Sequence, residues 1–117
     1  MFEFSGYILL PGGTRAPIKY AVIDAAASGD NTLVAAVTGK KIRVVSLWYI
    51  ASSTVTAIFQ SGASGTALTG GAQHIAQTGI VLPRNPDGWF QTGSGVLLNL
   101  NLSAAVSVDG SLNYIEV

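Results

Sequence analysis

Chemistry in this 117-residue chain would have to come from one histidine, six acidic side chains and a scatter of hydroxyls, because cysteine is absent. A lone imidazole, His74, cannot build a cupin-like cluster or a His-x-x-x-His metal pair within one chain. Acid–base catalysis needs two positioned carboxylates, or a carboxylate with a base. Here Asp30, Asp87 and Asp109 adjoin Gly or Asn in turn-like sequence, Glu3 and Glu116 lie near the ends, and Asp24 interrupts an apolar run without a partner. Gly93-Ser94-Gly95 lacks the Gly-x-Ser-x-Gly spacing of a nucleophile elbow. Thr38-Gly39-Lys40 has Val34 where a phosphate-binding loop places its first glycine. Asn85, Asp87 and Gly88 lack the acidic spacing and closing Glu of a calcium loop, so a turn accounts for them better. No catalytic residue, metal ligand or cofactor is expected, and the chain does not read as an enzyme.

Aromatic side chains are the other candidates for recognition. Trp48, Tyr49, Trp89 and Phe90 could stack on a sugar or a base. Trp48 shares a face with Ile42, Val44 and Ile50 and is expected in the core. Trp89 follows a Pro-Asp-Gly turn, where Asn85, Asp87 and Trp89 make the one candidate ligand rim, although core packing is the simpler role for Trp89.

These residues must be positioned by strands. Fourteen glycines punctuate short apolar runs, and helical periodicity is scarce. Strands are expected at Ala21–Ala27, Thr32–Val37, Lys41–Ala51, Thr54–Gln60, Gln73–Leu82, Trp89–Gln91 and Val96–Ser103. Val55, Ala57 and Phe59 alternate with Thr54, Thr56 and Gln60, and Val96, Leu98, Leu100 and Leu102 alternate with Asn99, Asn101 and Ser103. Asp109-Gly110, between Ala104–Val108 and Ser111–Val117, has the form of a two-residue hairpin turn. About eight strands in one short chain predict an all-β fold, an antiparallel β-sandwich of jelly-roll type. Its core should include Val44, Trp48, Val55, Phe59, Leu98, Leu100, Val106 and Tyr114.

The Lys41–Ala51 strand is polar on one side in its first half and apolar on both sides in its second, where Leu47 and Tyr49 face away from Trp48 and Ile50. Such a strand needs cover on both sides, from a loop or another subunit. Residues 1–17 stand apart from the sandwich at 18–117. Phe2, Phe4, Tyr7, Ile8, Leu9 and Leu10 precede a Pro11–Pro17 break. They form either an edge strand or an extended N-terminal arm that packs on a neighbour. Together with Leu47 and Tyr49 they are the expected contact residues.

Composition narrows the partners. Apolar residues make up 49% and charged residues 10%, with six basic and six acidic side chains and no net charge. That excludes intrinsic disorder and argues against binding nucleic acid, which needs surplus Lys and Arg. No apolar run approaches the roughly 20 residues of a membrane helix. No basic segment precedes the apolar N-terminus, so no signal peptide is expected. A mean hydropathy of +0.46 implies apolar surface covered by other subunits, with a trimer expected before a dimer.

Gly39-Lys40-Lys41-Ile42-Arg43-Val44 entering a long strand, Phe59-Gln60-Ser61-Gly62, a Gly/Thr tract with Leu68-Thr69-Gly70, Gly88-Trp89-Phe90-Gln91-Thr92 and Leu112-Asn113-Tyr114 together resemble small virion proteins of tailed bacteriophages, over roughly residues 20–117. The resemblance implies a jelly-roll capsid cement or decoration protein. It would be made in the host cytoplasm, and would bind and reinforce the outer surface of an icosahedral shell built from a major capsid protein of the HK97-type fold. The alternative is a receptor- or glycan-binding module of a tail tip or fibre, using the rim at Trp89.

Overall fold

A computed structural model describes residues 6–117. Every regular element in that span is a strand: β1 (Tyr7–Leu9), β2 (Arg15–Pro17), β3 (Lys19–Ala25), β4 (Gly29–Val34), β5 (Ile42–Ala51), β6 (Val55–Ser61), β7 (Thr66–Ala67), β8 (Ala72–His74), β9 (Thr78–Leu82), β10 (Phe90–Gln91), β11 (Leu98–Leu102) and β12 (Val108–Glu116). The first sheet runs β3-β12-β5, with β9 and β10 sharing the far edge of β5. The second runs β4-β11-β6, with β7 and β8 sharing the far edge of β6. All pairings are antiparallel. The chain changes sheet from β3 to β4, from β5 to β6 and from β11 to β12.

Alternation builds the interior. Val55, Ala57 and Phe59 of β6 and Leu98, Leu100 and Leu102 of β11 face the first sheet, where they meet Ile23, Val44, Leu47, Tyr49 and Leu112. Val106 and Tyr114 pack against this core while partly exposed. Burying each large apolar side chain stabilises the fold by about 1.5–3 kcal/mol relative to exposure.

In β5 the alternation breaks. Asn113 of β12 is opposite Ser46 and Tyr114 is opposite Val44, so Val45 is an extra residue, a β-bulge. Before it, Ile42 and Val44 point inward; after it, Leu47, Tyr49 and Ala51 do. One inserted residue exchanges the two faces of everything downstream. Trp48 is therefore 50% exposed on the outside, not in the core, and Leu47 and Tyr49, 3% and 2% exposed, are inside and cannot reach another chain. The Pro83–Trp89 loop fills the ladder at the bulge: the Asn85 N–H donates to Val45 O (2.8 Å) and the Trp89 N–H to Val44 O (2.8 Å).

Three further expectations change. Asp109-Gly110 is no turn; it lies inside β12, opposite Ile50 and Tyr49 on one side and Asp24 and Ile23 on the other. Gly110 is there because a Cβ would collide with the Trp48 carbonyl oxygen. Gln73–Leu82 is split between the sheets into β8 and β9, by a turn with Gln77 at φ 62°. The N-terminal segment, where described, is not an extended arm. β1 and β2 form a hairpin that lies on the outer face of the first sheet, Ile8 and Ala16 packing on Val45 and Ile115 with Leu10, Ile18 and Val117 around them.

Candidate interaction surface

The hairpin covers only one end of that outer face. Beyond it, register partners line up across the strands in rows. Val22, Ser111, Trp48 and Val81 form one row through β3, β12, β5 and β9. Val22 is 64%, Trp48 50% and Val81 76% exposed. Asn113 lies between Tyr20 and Ser46 on the side nearer the hairpin, and Asp109 lies between Asp24 and Ile50 on the far side. Tyr20 and Ile50 are exposed as well. The outer face of a sheet in water ordinarily carries polar side chains, so this open shelf is the feature of the molecule that most needs a partner. Sequence alternation already set Tyr20, Val22 and Asp24 on one side of β3. Val81 and the reversed Trp48 and Ile50 come into line with them only through the pairing of β9 and the bulge.

The expected contact residues separate. Phe2 and Phe4 lie outside the described residues. Ile8 is buried under its own hairpin and is not available to a partner, whereas Tyr7 and Leu9, on the upper side of β1, are 44% and 64% exposed. Leu10 is half-buried in the cluster beneath. Arg15 stacks its guanidinium 4.7 Å from the centre of the Tyr7 ring, and Arg84 Nη2 donates to Tyr7 O (3.4 Å).

The rim at Trp89 is a self-satisfied turn. The Asn85 side-chain amide donates to Gly88 O (3.2 Å) and accepts from the Asp87 N–H (3.1 Å). The Trp89 indole N–H donates to Pro83 O (2.8 Å). The polar groups that would orient a sugar beside the half-exposed ring are thus engaged, and Asp87 alone presents its carboxylate to solvent.

Two polar clusters tie strands together. Thr78 Oγ1 donates to Ile75 O (2.8 Å), so its hydroxyl proton is committed and it accepts from His74 Nδ1 (3.3 Å). The imidazole then carries its proton on Nδ1, and Nε2 accepts from the Tyr49 hydroxyl (2.8 Å). Burial lowers the pKa of His74 and pushes that of Tyr49 up to about 12, which keeps both neutral. On the outside of the second sheet, Asp30 accepts from the Ser64 N–H (3.0 Å) and hydroxyl (2.8 Å) and from the Asn99 and Asn101 amides (2.8 and 3.3 Å). These donors, the Ser64 hydroxyl first, hold its carboxyl below the ordinary value despite some desolvation. The bonds pin a turn in which Ser64 has φ 50°. Asn99, fully buried, also donates to Gln60 Oε1 (2.8 Å) and accepts from the Asn31 N–H (2.8 Å). Sequence reading placed Asp30 in a turn and missed this clasp; the Asn99-x-Asn101 alternation was the available signal.

An apolar cavity of about 230 Å³ opens between the sheets at their β9/β10 and β7/β8 edges, walled by Tyr49, Phe59, Ile80 and Phe90 under the Gly70-Gly71 loop. The Thr69 hydroxyl beside it is engaged, accepting from the Phe59 N–H (3.2 Å) and donating to Gly70 O (3.0 Å). Among the described residues no three His, Asp or Glu side chains gather as metal ligands. No family model, curated protein or solved structure matches the chain.

Proposed function

We propose that this chain acts by attachment rather than catalysis, as a cement or decoration protein on the outside of an icosahedral phage capsid of the HK97-type fold. The observation that carries this reading is the surplus of exposed apolar surface. Tyr7, Leu9, Tyr20, Val22, Trp48, Ile50, Ile75, Val81 and Trp89 all stand open to solvent on a chain with little charge. Apolar patches of this kind mark protein contact surfaces. The resemblance of the strand and turn segments to small virion proteins supplies the virion as the setting.

The same reading takes the sandwich as a jelly roll. The strand orders β3-β12-β5-(β9, β10) and β4-β11-β6-(β7, β8) support it, because each successive strand pair wraps from one sheet to the other, as in two interlocked Greek keys. The mechanism is mass action. Copies that bind the assembled shell and not its free subunits stabilise the shell by RT ln(1 + [L]/Kd), about 2.7 kcal/mol per site at a concentration of 100 Kd. The glycan-binding alternative has less support, because the Asn85 amide and the Trp89 indole N–H are engaged within their own turn.

The test is cosedimentation of the purified full chain with capsids of the virus that encodes it, paired with their thermal disruption. Saturable binding that raises the disruption temperature and depends weakly on salt is expected. A chain that stays in the supernatant at all concentrations refutes the proposal.

A further inference from the structure

We propose that the outer face of the first sheet is closed by a second copy of this chain in a two-fold dimer, the β1–β2 hairpin of each copy seated on the open shelf of the other.

The shape of the face supplies the first argument. The hairpin is a third layer, raised above the sheet by about one sheet-packing distance, ~10 Å. The shelf beside it is bare sheet, so the face is a step. The hairpin is apolar on both sides: Ile8 and Ala16 point down, while Tyr7, Leu9 and Pro17 point up with Arg15. Hairpin top and shelf face the same direction. Two patches that face the same way can both be covered at once only by a copy turned face to face, about an axis lying in the plane of contact. A closed ring of three needs its two patches on different sides of the chain.

Order along the strands supplies the second. The Arg15 end of the hairpin lies beside Lys40, Glu116 and Val117, at the end of the sheet remote from the shelf. The Tyr7 end lies beside Arg84, next to the bulge and nearer the shelf. A two-fold axis running across the strands reverses this order in the partner. Tyr7 then comes down on the row of Val22, Trp48 and Val81, and Arg15 lands beyond it on the row of Asp24 and Asp109.

Charge supplies the third. Asp24 and Asp109 are direct cross-strand neighbours, an unfavourable placement of like charges. Among the described residues the one ion pair is Lys19–Glu116 (3.2 Å), so neither aspartate nor Arg15 is paired within the chain. A second copy brings a guanidinium to each aspartate pair, twice per dimer. The molecule measures 43 × 33 × 23 Å, and its broad side has room for the roughly 800 Å² per partner of a stable interface. Ile75 and Trp89 lie outside these rows and are left for the shell. The dimer's role rests on the attachment reading, while its geometry does not.

Sedimentation equilibrium of the full chain tests this, with variants at exposed positions so that folding, checked by circular dichroism, is retained. The wild-type chain should sediment at twice its 12.0 kDa mass. Arg15→Glu alone, and Asp24→Lys with Asp109→Lys, should each raise the dimer Kd by about thirtyfold, the effect of losing a hot-spot contact. An equimolar mixture of the two variants should recover the dimer, since both contacts of the mixed pair then join opposite charges. A monomeric wild-type chain, or a mixture that fails to recover, overturns the proposal. Capsid cosedimentation of the same samples separates the two readings. A monomer that binds capsids sinks the dimer alone, and a dimer that ignores capsids sinks the attachment reading alone.

Discussion

The bulge at Val45 predicts opposite fates for two adjacent residues. Leu47 is 3% exposed, between the sheets, and Trp48 is 50% exposed, on the shelf. Leu47→Ala removes about three methylene equivalents at ~0.8 kcal/mol each. Because Leu47 also lines the interior cavity, its loss enlarges a void that the walls do not already close, which adds a cavity cost. The sum is about 3 kcal/mol, within the 2–5 kcal/mol range of buried Leu truncations. On a domain of this size that lowers Tm by on the order of 10 °C. Trp48→Ala, though it deletes the larger side chain, should cost no more than about 1 kcal/mol, as for other surface positions. Urea denaturation followed by the fluorescence of Trp89 measures both, at sub-micromolar chain concentration so that any dimer contributes least. Unbroken alternation puts Trp48 inside and Leu47 outside. If Trp48→Ala proves the more damaging substitution, the bulge, and with it the composition of the shelf, is wrong.

The pH dependence of stability has two limbs. Asp30 has a folded pKa below 3.8, set first by the Ser64 hydroxyl. Its contribution is therefore complete above that value and is lost as pH falls through the folded one, and Asp30→Asn should flatten this acid limb of a urea-denaturation series. His74, lowered by burial from 6.5, adds a decline that begins as pH drops below 6.5. Tyr49, raised from 10.0 to about 12, should make stability fall as pH climbs from 10 towards 12. Tyr49→Phe should remove that alkaline limb and cost about 1–3 kcal/mol at neutral pH by leaving His74 Nε2 unpaired. Gly110→Ala forces a methyl group against the Trp48 carbonyl and should cost about 1–3 kcal/mol as overpacking does. An unchanged thermal midpoint would mean that β5 and β12 do not approach as closely there.

The strands that were legible in the sequence are those with one wet and one dry face. Thr54–Gln60 and Val96–Ser103 alternate cleanly, and β6 and β11 bury the expected side. What misled was local sequence overruled by tertiary packing. Asp-Gly is a strong hairpin signal, yet Gly110 is glycine because a neighbouring strand passes against it. A bulge has no composition of its own, and the Val44-Val45 pair gives no sign that the pattern shifts there, so Trp48 was assigned inward and Leu47 and Tyr49 outward. The apolar N-terminus was read as a segment seeking a partner. Half of that need is met at home, by Ile8 on Val45 and Ile115, while Tyr7 and Leu9 remain open. Of the candidate contact surface, β3 could be read from alternation. The line-up of Val22, Trp48 and Val81 depends on pairings between strands distant in sequence.

The central claim, attachment to a capsid through exposed apolar surface, is tested most directly by cryo-microscopy of the intact virion. Density for a β-sandwich of this shape, 43 × 33 × 23 Å, is expected on the outside of the shell, with Ile75 and Trp89 towards the capsid and the shelf covered. Density confined to the tail, or a shell whose outer surface carries no such domain, would contradict it.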